Sequence, residues 1–260
     1  MNANNNPRLR AALRIAFAGL ILLRANGAPA ADIHRLASPD GRIVVLIEMP
    51  APNSTARPRW SAAFHGKPVL AGCELGLQTS NAGEMMAGAR VRRERSRSIS
   101  RLVPVLFGKS DRAYDCFRET RFSLETLGRR RLDVVFRAYD DAVALRYELP
   151  KDDDAGSVTV TDETTSFVMA GEPEAYAQYL ESYATSHEHN VTTSAYGDIR
   201  PDTLMDMPLT FSWDDGTCAA ITEASLRHYA GMSLMRCSGG ASTPRLVCKL
   251  TPRPDGSKVK

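Results

Sequence analysis

The sequence predicts an antiparallel β-sandwich with a few short helices, and three observations carry that expectation. Apolar and polar residues alternate with a period of two through much of the chain after residue 30, the pattern of strands with one buried face. Turn-forming groups punctuate the alternation at Pro39, Asp40 and Gly41, at Asp140 and Asp141, and at Asp214, Asp215 and Gly216. Windows of helical period are few and short. With 260 residues, 43% of them hydrophobic, the chain is long enough to bury a substantial core.

Taken in order, residues 1–30 read as an export signal rather than as structure. Arg8, Arg10 and Arg14 precede the apolar run Ile15 to Leu23, and Ala28, Pro29 and Ala30 offer small residues for cleavage. The run falls short of the roughly 20 residues that a bilayer span needs, and Arg24 opposes an anchor. The mature chain, 31–260, is therefore expected as one domain in a periplasm or outside the cell.

Arg42 to Met49 (RIVVLIEM) follows the first turn as a strand. The Arg-rich, Ser-rich stretch from Arg90 to Arg101 reads as a solvated loop, and Arg129, Arg130 and Arg131 as a charged hairpin end. Arg131 to Leu149 is a hairpin turning at Asp140 and Asp141, and the acidic run Asp152 to Asp154 is a solvated turn at a soft boundary. Glu172 to Glu181 is a helix candidate. Pro208 to Trp213 meets Cys218 to Thr222 across an Asp-Gly reversal. A second short helix would run from Thr222, as its N-cap, to Tyr229. Gly231 to Cys237 and Pro244 to Leu250 complete the strands.

The net charge of +3 is too small to imply nucleic acid, and neither basic run is interleaved with aromatic residues. The cysteines at 73, 116, 218, 237 and 248 leave at least one unpaired and show no C-x-x-C spacing. Cys237 and Cys248 flank a turn and could pair; alternatively, all five are small buried hydrophobes. Trp60 and Trp213, the two tryptophans, sit in strand-like contexts and read as core.

Adjacent carboxylates on a strand point to opposite faces, so Asp140 with Asp141 and Asp214 with Asp215 make turns and no acid and base pair. No G-x-S-x-G elbow, phosphate-binding loop or H-E-x-x-H occurs. The polar cluster Ser186, His187, Glu188, His189 and Asn190 is the candidate site. By residue type alone it is a solvated loop, because neighbouring residues rarely all reach one metal.

LASPDGRIVVLIE from Leu36, PVLFGKSDRAYDCFRETRFSLE from Pro104, FRAYDDAVALRYELP from Phe136, CAAITEASLRHYAGMSL from Cys218 and the final TPRPDG share order and spacing with one family. In these stretches the chain resembles the N-terminal domain of the family 97 glycoside hydrolases, a super-sandwich that leans over a separate catalytic (β/α)8 barrel. The resemblance implies hydrolysis of α-glucosidic or α-galactosidic bonds by the whole enzyme and no catalysis by this module alone. Placing SAYGDI (Ser194 to Ile199) on the family's corresponding turn puts Glu188 on the glutamate that reaches a calcium ion in the barrel's site. A carboxylate suits calcium, which takes roughly 6 to 8 oxygen ligands, so the calcium would depend on the barrel for the others. Glu223, in ITEASL, is implied as a substrate contact, or else as a helix-start glutamate stabilised by the local dipole.

Three departures stand out. Phe107 and Ala142 occupy positions that are often tryptophan and glycine in the family, and AYAQYLESYATSHEH (Ala175 to His189) replaces a tryptophan-rich approach to the calcium glutamate. The chain ends on a polar, linker-like KLTPRPDGSKVK where relatives continue into the barrel, which suggests a truncated product or a separate barrel chain. Two other readings are a stand-alone carbohydrate-binding module and a non-functional fragment with an exposed docking face.

Overall fold

A computed structural model describes residues 31–51, 53–150, 158–226, 229–238 and 244–252. The expected export signal at 1–30 and the expected boundary at Asp152 to Asp154 lie outside the described residues.

Four strands, β1 (Asp32–Ala37), β2 (Ile43–Met49), β3 (Arg59–Phe64) and β4 (Lys67–Glu74), form one antiparallel sheet in chain order. β5 (Leu77–Thr79) and β6 (Gly83–Glu84) lead to the long β7 (Arg90–Pro104) and β8 (Arg112–Glu125). With β9 (Arg131–Ala138) and β10 (Val143–Glu148) these make a second sheet, in the order β10-β9-β8-β7. β11 (Val160–Glu163) joins β5 and β6 in a small third sheet.

The remaining strands are β12 (Ser166–Phe167), β13 (Glu174–Leu180), β14 (Val191–Ala195), β15 (Leu204–Met205), β16 (Leu209–Ser212), β17 (Cys218–Ile221), β18 (Met232–Arg236) and β19 (Leu246–Leu250). They build the largest sheet, in which β13 is flanked by β14 on one side and by β15 and β16 on the other.

The alternation legible in the sequence is what packs the first two sheets together. Ile43, Val45, Ile47 and Met49 of β2 are buried every second residue, as are Leu132, Val134, Phe136 and Ala138 of β9. They meet around Trp60, whose ring lies 5.8 Å from that of Phe136. Burying each such side chain contributes about 1.5–3 kcal/mol. A second core beneath the largest sheet holds Ala175, Ala177, Tyr196, Phe211, Leu234 and Cys248. Leu70, Phe167 and Met232 pack against both cores and join them.

Four sequence expectations are corrected. Glu172 to Glu181 is no helix: Glu174–Leu180 is β13, because β14 and β16 supply ladder hydrogen bonds and the core takes Ala175 and Ala177 on alternate positions. Thr222 does not cap a helix either. Residues 222–226 carry no helix, Ser225 has φ of +58°, and Arg227 and His228 lie outside the described residues. The arginine-rich stretch is not a loop but the exposed edge strand β7, paired along its length with β8.

The cysteines show the last correction. All five are free, and Cys237 does not face Cys248. The β18–β19 hairpin is present, but its register sets Cys248 opposite Leu234, while the Cys237 N–H donates to the Arg245 carbonyl at 3.1 Å. The buried-hydrophobe reading holds for Cys73 and Cys248 only; Cys116 is half-buried, and Cys218 and Cys237 are exposed.

The expected turns are present. Asp140 Oδ1 accepts from the Asp40 N–H at 2.9 Å, and Asp215 accepts from Thr217 and from Lys67 Nζ, the latter at 2.7 Å. The hydrogen bond from Lys67 draws the Asp215 carboxyl down to about 2.

Candidate functional site

Glu188 sits in the loop 181–190, which carries the chain from β13 back into β14. β13 ends where Tyr179 and Leu180 meet Met205 and Leu204 of β15. The chain leaves the sheet there and returns at Val191, opposite Gln178. The start of the loop's return path is held by three side chains. His187 Nδ1 lies 2.8 Å from Asp206 Oδ2, Gln178 Nε2 donates to the His187 carbonyl at 2.7 Å, and the same Nε2 donates to Asp206 Oδ2 at 3.0 Å. The Asp206 N–H in turn donates to the Gln178 carbonyl at 2.9 Å.

On the far side of this clamp the Glu188 N–H donates to Ser186 Oγ at 3.2 Å, and His189 Nε2 lies 3.4 Å from Thr185 Oγ1. The Glu188 carboxylate is exposed and has no hydrogen-bond or ion-pair partner among the described residues. The local structure therefore fixes the backbone around Glu188 and leaves its oxygens free.

The other end of β14 is anchored more deeply. Tyr196 opens a 3-10 turn, Tyr196–Asp198, and is fully buried. Its hydroxyl accepts from the Met169 N–H at 3.2 Å and donates to the Pro244 carbonyl. Burial pushes this phenol up to about 12. Arg236 Nη1 donates to the carbonyls of Gly197 and Ile199 at 2.7 and 2.6 Å. The SAYGDI segment thus serves as the rigid mount from which the Glu188 loop is hung.

Glu223 lies in the connection between β17 and β18, half-buried, and burial raises its carboxyl above the ordinary range. Its near neighbour is Glu163 at the end of β11, whose carboxyl burial also raises, with the Glu223 charge adding to the effect. Tyr229 Oη donates to Glu163 Oε2 at 3.2 Å. The adjacent Asp162 accepts from Lys249 Nζ at 3.2 Å and from the Leu250 N–H at 3.0 Å, and its charge reaches Tyr183 of the Glu188 loop. Asp162 and Glu163 therefore touch or face neighbours from both predicted segments. Neither was marked by the sequence, because an acidic pair at the end of a strand carries no spacing signal.

The arrangement offers a hard cation one free carboxylate. Among the described residues no three His, Cys, Asp or Glu side chains gather to hold a metal ion. Glu188 fits a single position in an oxygen-rich shell and needs the others from elsewhere. His187 is turned toward Asp206, so the two histidines beside Glu188 do not converge with it. Trp60 is buried, and Trp213 is tied by its Nε1 to the Ala170 carbonyl at 2.9 Å with Lys67 Nζ 5.2 Å from its ring centre, so neither indole forms an open stacking platform.

Comparison with known proteins finds relatives of this chain. Residues 36–252 match the family model described as glycosyl-hydrolase 97 N-terminal. A probable retaining alpha-galactosidase of Streptomyces bingchenggensis (strain BCW-1) is 28% identical over 178 residues, covering 66% of this chain and 27% of that protein. A family 97 glycoside hydrolase from Pseudoalteromonas sp. strain K8, solved in complex with acarbose, superposes with a TM-score of 0.74 at 24% identity, over 87% of this chain and 33% of that one. A beta-arabinopyranosidase superposes with a TM-score of 0.72 at 20% identity, over 83% and 35%. The chain spans about a third or less of the length of these relatives.

Proposed function

The chain belongs to the glycosyl-hydrolase 97 N-terminal family, and from that premise we propose that it is the accessory module of an α-glycosidase, contributing Glu188 to a calcium site completed by a catalytic barrel. One observation carries the reading. Glu188 presents an exposed carboxylate, unpartnered among the described residues, on a loop whose backbone is clamped through His187, Asp206 and Gln178. A side chain held for contact with something outside its own domain looks like this, because preorganised backbone lowers the ordering cost of binding.

In this reading Glu188 supplies one oxygen ligand and the barrel's carboxylates supply the rest. When bound, the calcium would add positive charge beside the scissile sugar. This chain's own residues hold the carboxylate in place and cover one side of the site. The module has no turnover alone, and its substrates are α-glucosides or α-galactosides. The complexes of the Pseudoalteromonas enzyme with acarbose and panose, and the alpha-galactosidase relative, support that substrate class. Glu223 belongs to the same reading as a contact for the sugar, and the module acts in a periplasm or outside the cell.

The test is hydrolysis of aryl α-glucoside and α-galactoside with calcium, first with the purified chain and then with a family 97 barrel lacking its own N-terminal module. Activity confined to the mixture and lost in Glu188→Gln is the expected result. Turnover by the chain alone, or a mixture indifferent to Glu188→Gln, overturns the proposal. Calorimetry with free oligosaccharide separates it from a stand-alone carbohydrate-binding module, which would bind without a barrel.

A further inference from the structure

The first two sheets do not overlap fully at their edges. β1 is a free edge of one sheet and β7 a free edge of the other. β1 packs chiefly across β8 and β9, so the inner side of β7 reaches beyond it. At one end His34 Nδ1 of β1 lies 2.9 Å from Glu94 Oε2 of β7 and spans the gap. Past this bridge the strands part around a groove of about 310 Å³, lined by β1, β7 and β8.

The floor of the groove breaks the pattern of the face it belongs to. The inner face of β8 is apolar at Phe122 and Leu124, both buried in the core, and by alternation it continues through Thr120 and Arg118. β7 sets Ser96 opposite Thr120 and Ser98 opposite Arg118. Thr120 is 4% exposed, and its Oγ1 lies 3.1 Å from Ser96 Oγ. Apolar side chains here would extend the core, whereas hydroxyls and a guanidinium leave this stretch of the inner face wet. A departure from the local rule of a buried face marks a functional position.

Three arginines line the groove, and they differ in what they hold. Arg97 is committed to Glu119, which accepts from it at 2.7 and 3.0 Å and from Arg137 at 2.7 Å. With two cations on it, that buried carboxylate does not repel an anion. Arg35 has no hydrogen bond or ion pair among the described residues, and Arg118 donates only to the Pro39 carbonyl, at 3.5 Å. Of the carboxylates near these residues in sequence, Glu94 faces His34 and Asp40 pairs with Arg42. Two guanidinium groups therefore stand at the groove without an acidic partner.

Size and chemistry narrow the ligand. A groove of about 310 Å³ lies at the lower end of small-molecule sites, roughly 300–1,000 Å³, and is too roomy for a bare phosphate or sulfate to fill. Serine and threonine hydroxyls both donate and accept, as sugar hydroxyls do. Guanidinium forks suit a carboxylate. Among the described residues no aromatic ring lines the groove, so the apolar face of a neutral sugar finds nothing to stack on and charge must supply the hold.

We infer that the groove binds an acidic saccharide, a hexuronate in a short chain, with its carboxylate on Arg35 and Arg118 and its hydroxyls on Ser96, Ser98 and Thr120. None of the strands that build it carries Glu188 or Glu223, so the inference is independent of the proposed function. The test is titration calorimetry of the full chain with digalacturonate, the neutral disaccharide galactobiose and inorganic sulfate. Digalacturonate is expected to bind and galactobiose not to bind, with sulfate at least ~10-fold weaker than digalacturonate. Arg35→Ala should weaken digalacturonate at least ~10-fold, the scale of a lost charge-assisted hydrogen bond. Its circular dichroism should match the wild type, because Arg35 holds no other group among the described residues. Arg95→Ala, on the opposite face of β7 from Ser96, should bind as the wild type does, and so should Glu188→Gln. Digalacturonate that fails to bind, galactobiose or sulfate that binds as tightly, or an Arg95→Ala loss equal to that of Arg35→Ala overturns the inference.

Discussion

His187 Nδ1 stands 2.8 Å from Asp206 Oδ2, so a residue in the loop beside the free carboxylate is tied to the strand connection across the sheet. The His187 ring is 61% exposed at this contact and Asp206 only 22%. The contact therefore positions a loop more than it stabilises a fold.

Removing that tie has a specific consequence. His187→Ala should leave global stability within about 0.5 kcal/mol, as for an exposed pair. It should quicken amide hydrogen exchange across residues 181–190 and weaken calcium-dependent complementation of a barrel, with Glu188→Gln abolishing complementation and leaving exchange unchanged. Equal exchange in His187→Ala and wild type would show that the clamp does not order the loop.

Tyr196→Phe strips a buried hydroxyl from between the Met169 N–H and the Pro244 carbonyl. Both backbone groups are then left without that partner, and a loss of about 1–3 kcal/mol is expected in urea denaturation. The change lies in the mount of β14, so complementation through Glu188 should also fall, even where the variant remains folded.

Glu119 is 4% exposed and accepts from Arg97 at 2.7 and 3.0 Å and from Arg137 at 2.7 Å. Burial raises its carboxyl, but the two guanidinium groups outweigh burial and hold it below the ordinary 4.5. A depressed pKa stabilises in full above the unfolded value and is lost as pH falls through the folded one. Wild type should therefore lose more stability than Glu119→Gln on acidification below about pH 4.5. Parallel stability curves for the two proteins would refute the assignment.

Glu163 has the opposite sign. Burial, with the charges of Glu223 and Asp162, raises its carboxyl above 4.5, and Tyr229 and Thr165 offset this only in part. A raised carboxyl favours the fold below the unfolded pKa and costs stability as pH rises past it. Glu163→Gln should accordingly equal wild type near pH 4 and be the more stable of the two near pH 7. Thermal melts at the two pH values decide the matter, and a Gln variant that is less stable at pH 7 would contradict it.

The strands were legible where one face is buried and turn residues bound the run. Ile43 to Met49, Arg131 to Leu149 and Pro208 to Ile221 show this, because side-chain alternation is a local property of the chain. β7 and β13 were not. β7 hides no apolar stripe, since it is an exposed edge held by its pairing with β8, and β13 is written in alanine, tyrosine and glutamine, whose strand state is imposed by three neighbouring strands.

The order and wording of its segments identified the family, and the resemblance, through the placing of SAYGDI, singled out Glu188 as a candidate, because both are carried by the linear chain. Tertiary structure decided that His187 belongs to Asp206 and leaves Glu188 free, that Glu163 and Asp162 stand by the two predicted segments, and that Cys248 faces Leu234 instead of Cys237. Each of these depends on strand register and on contacts between residues far apart in sequence, which packing alone selects.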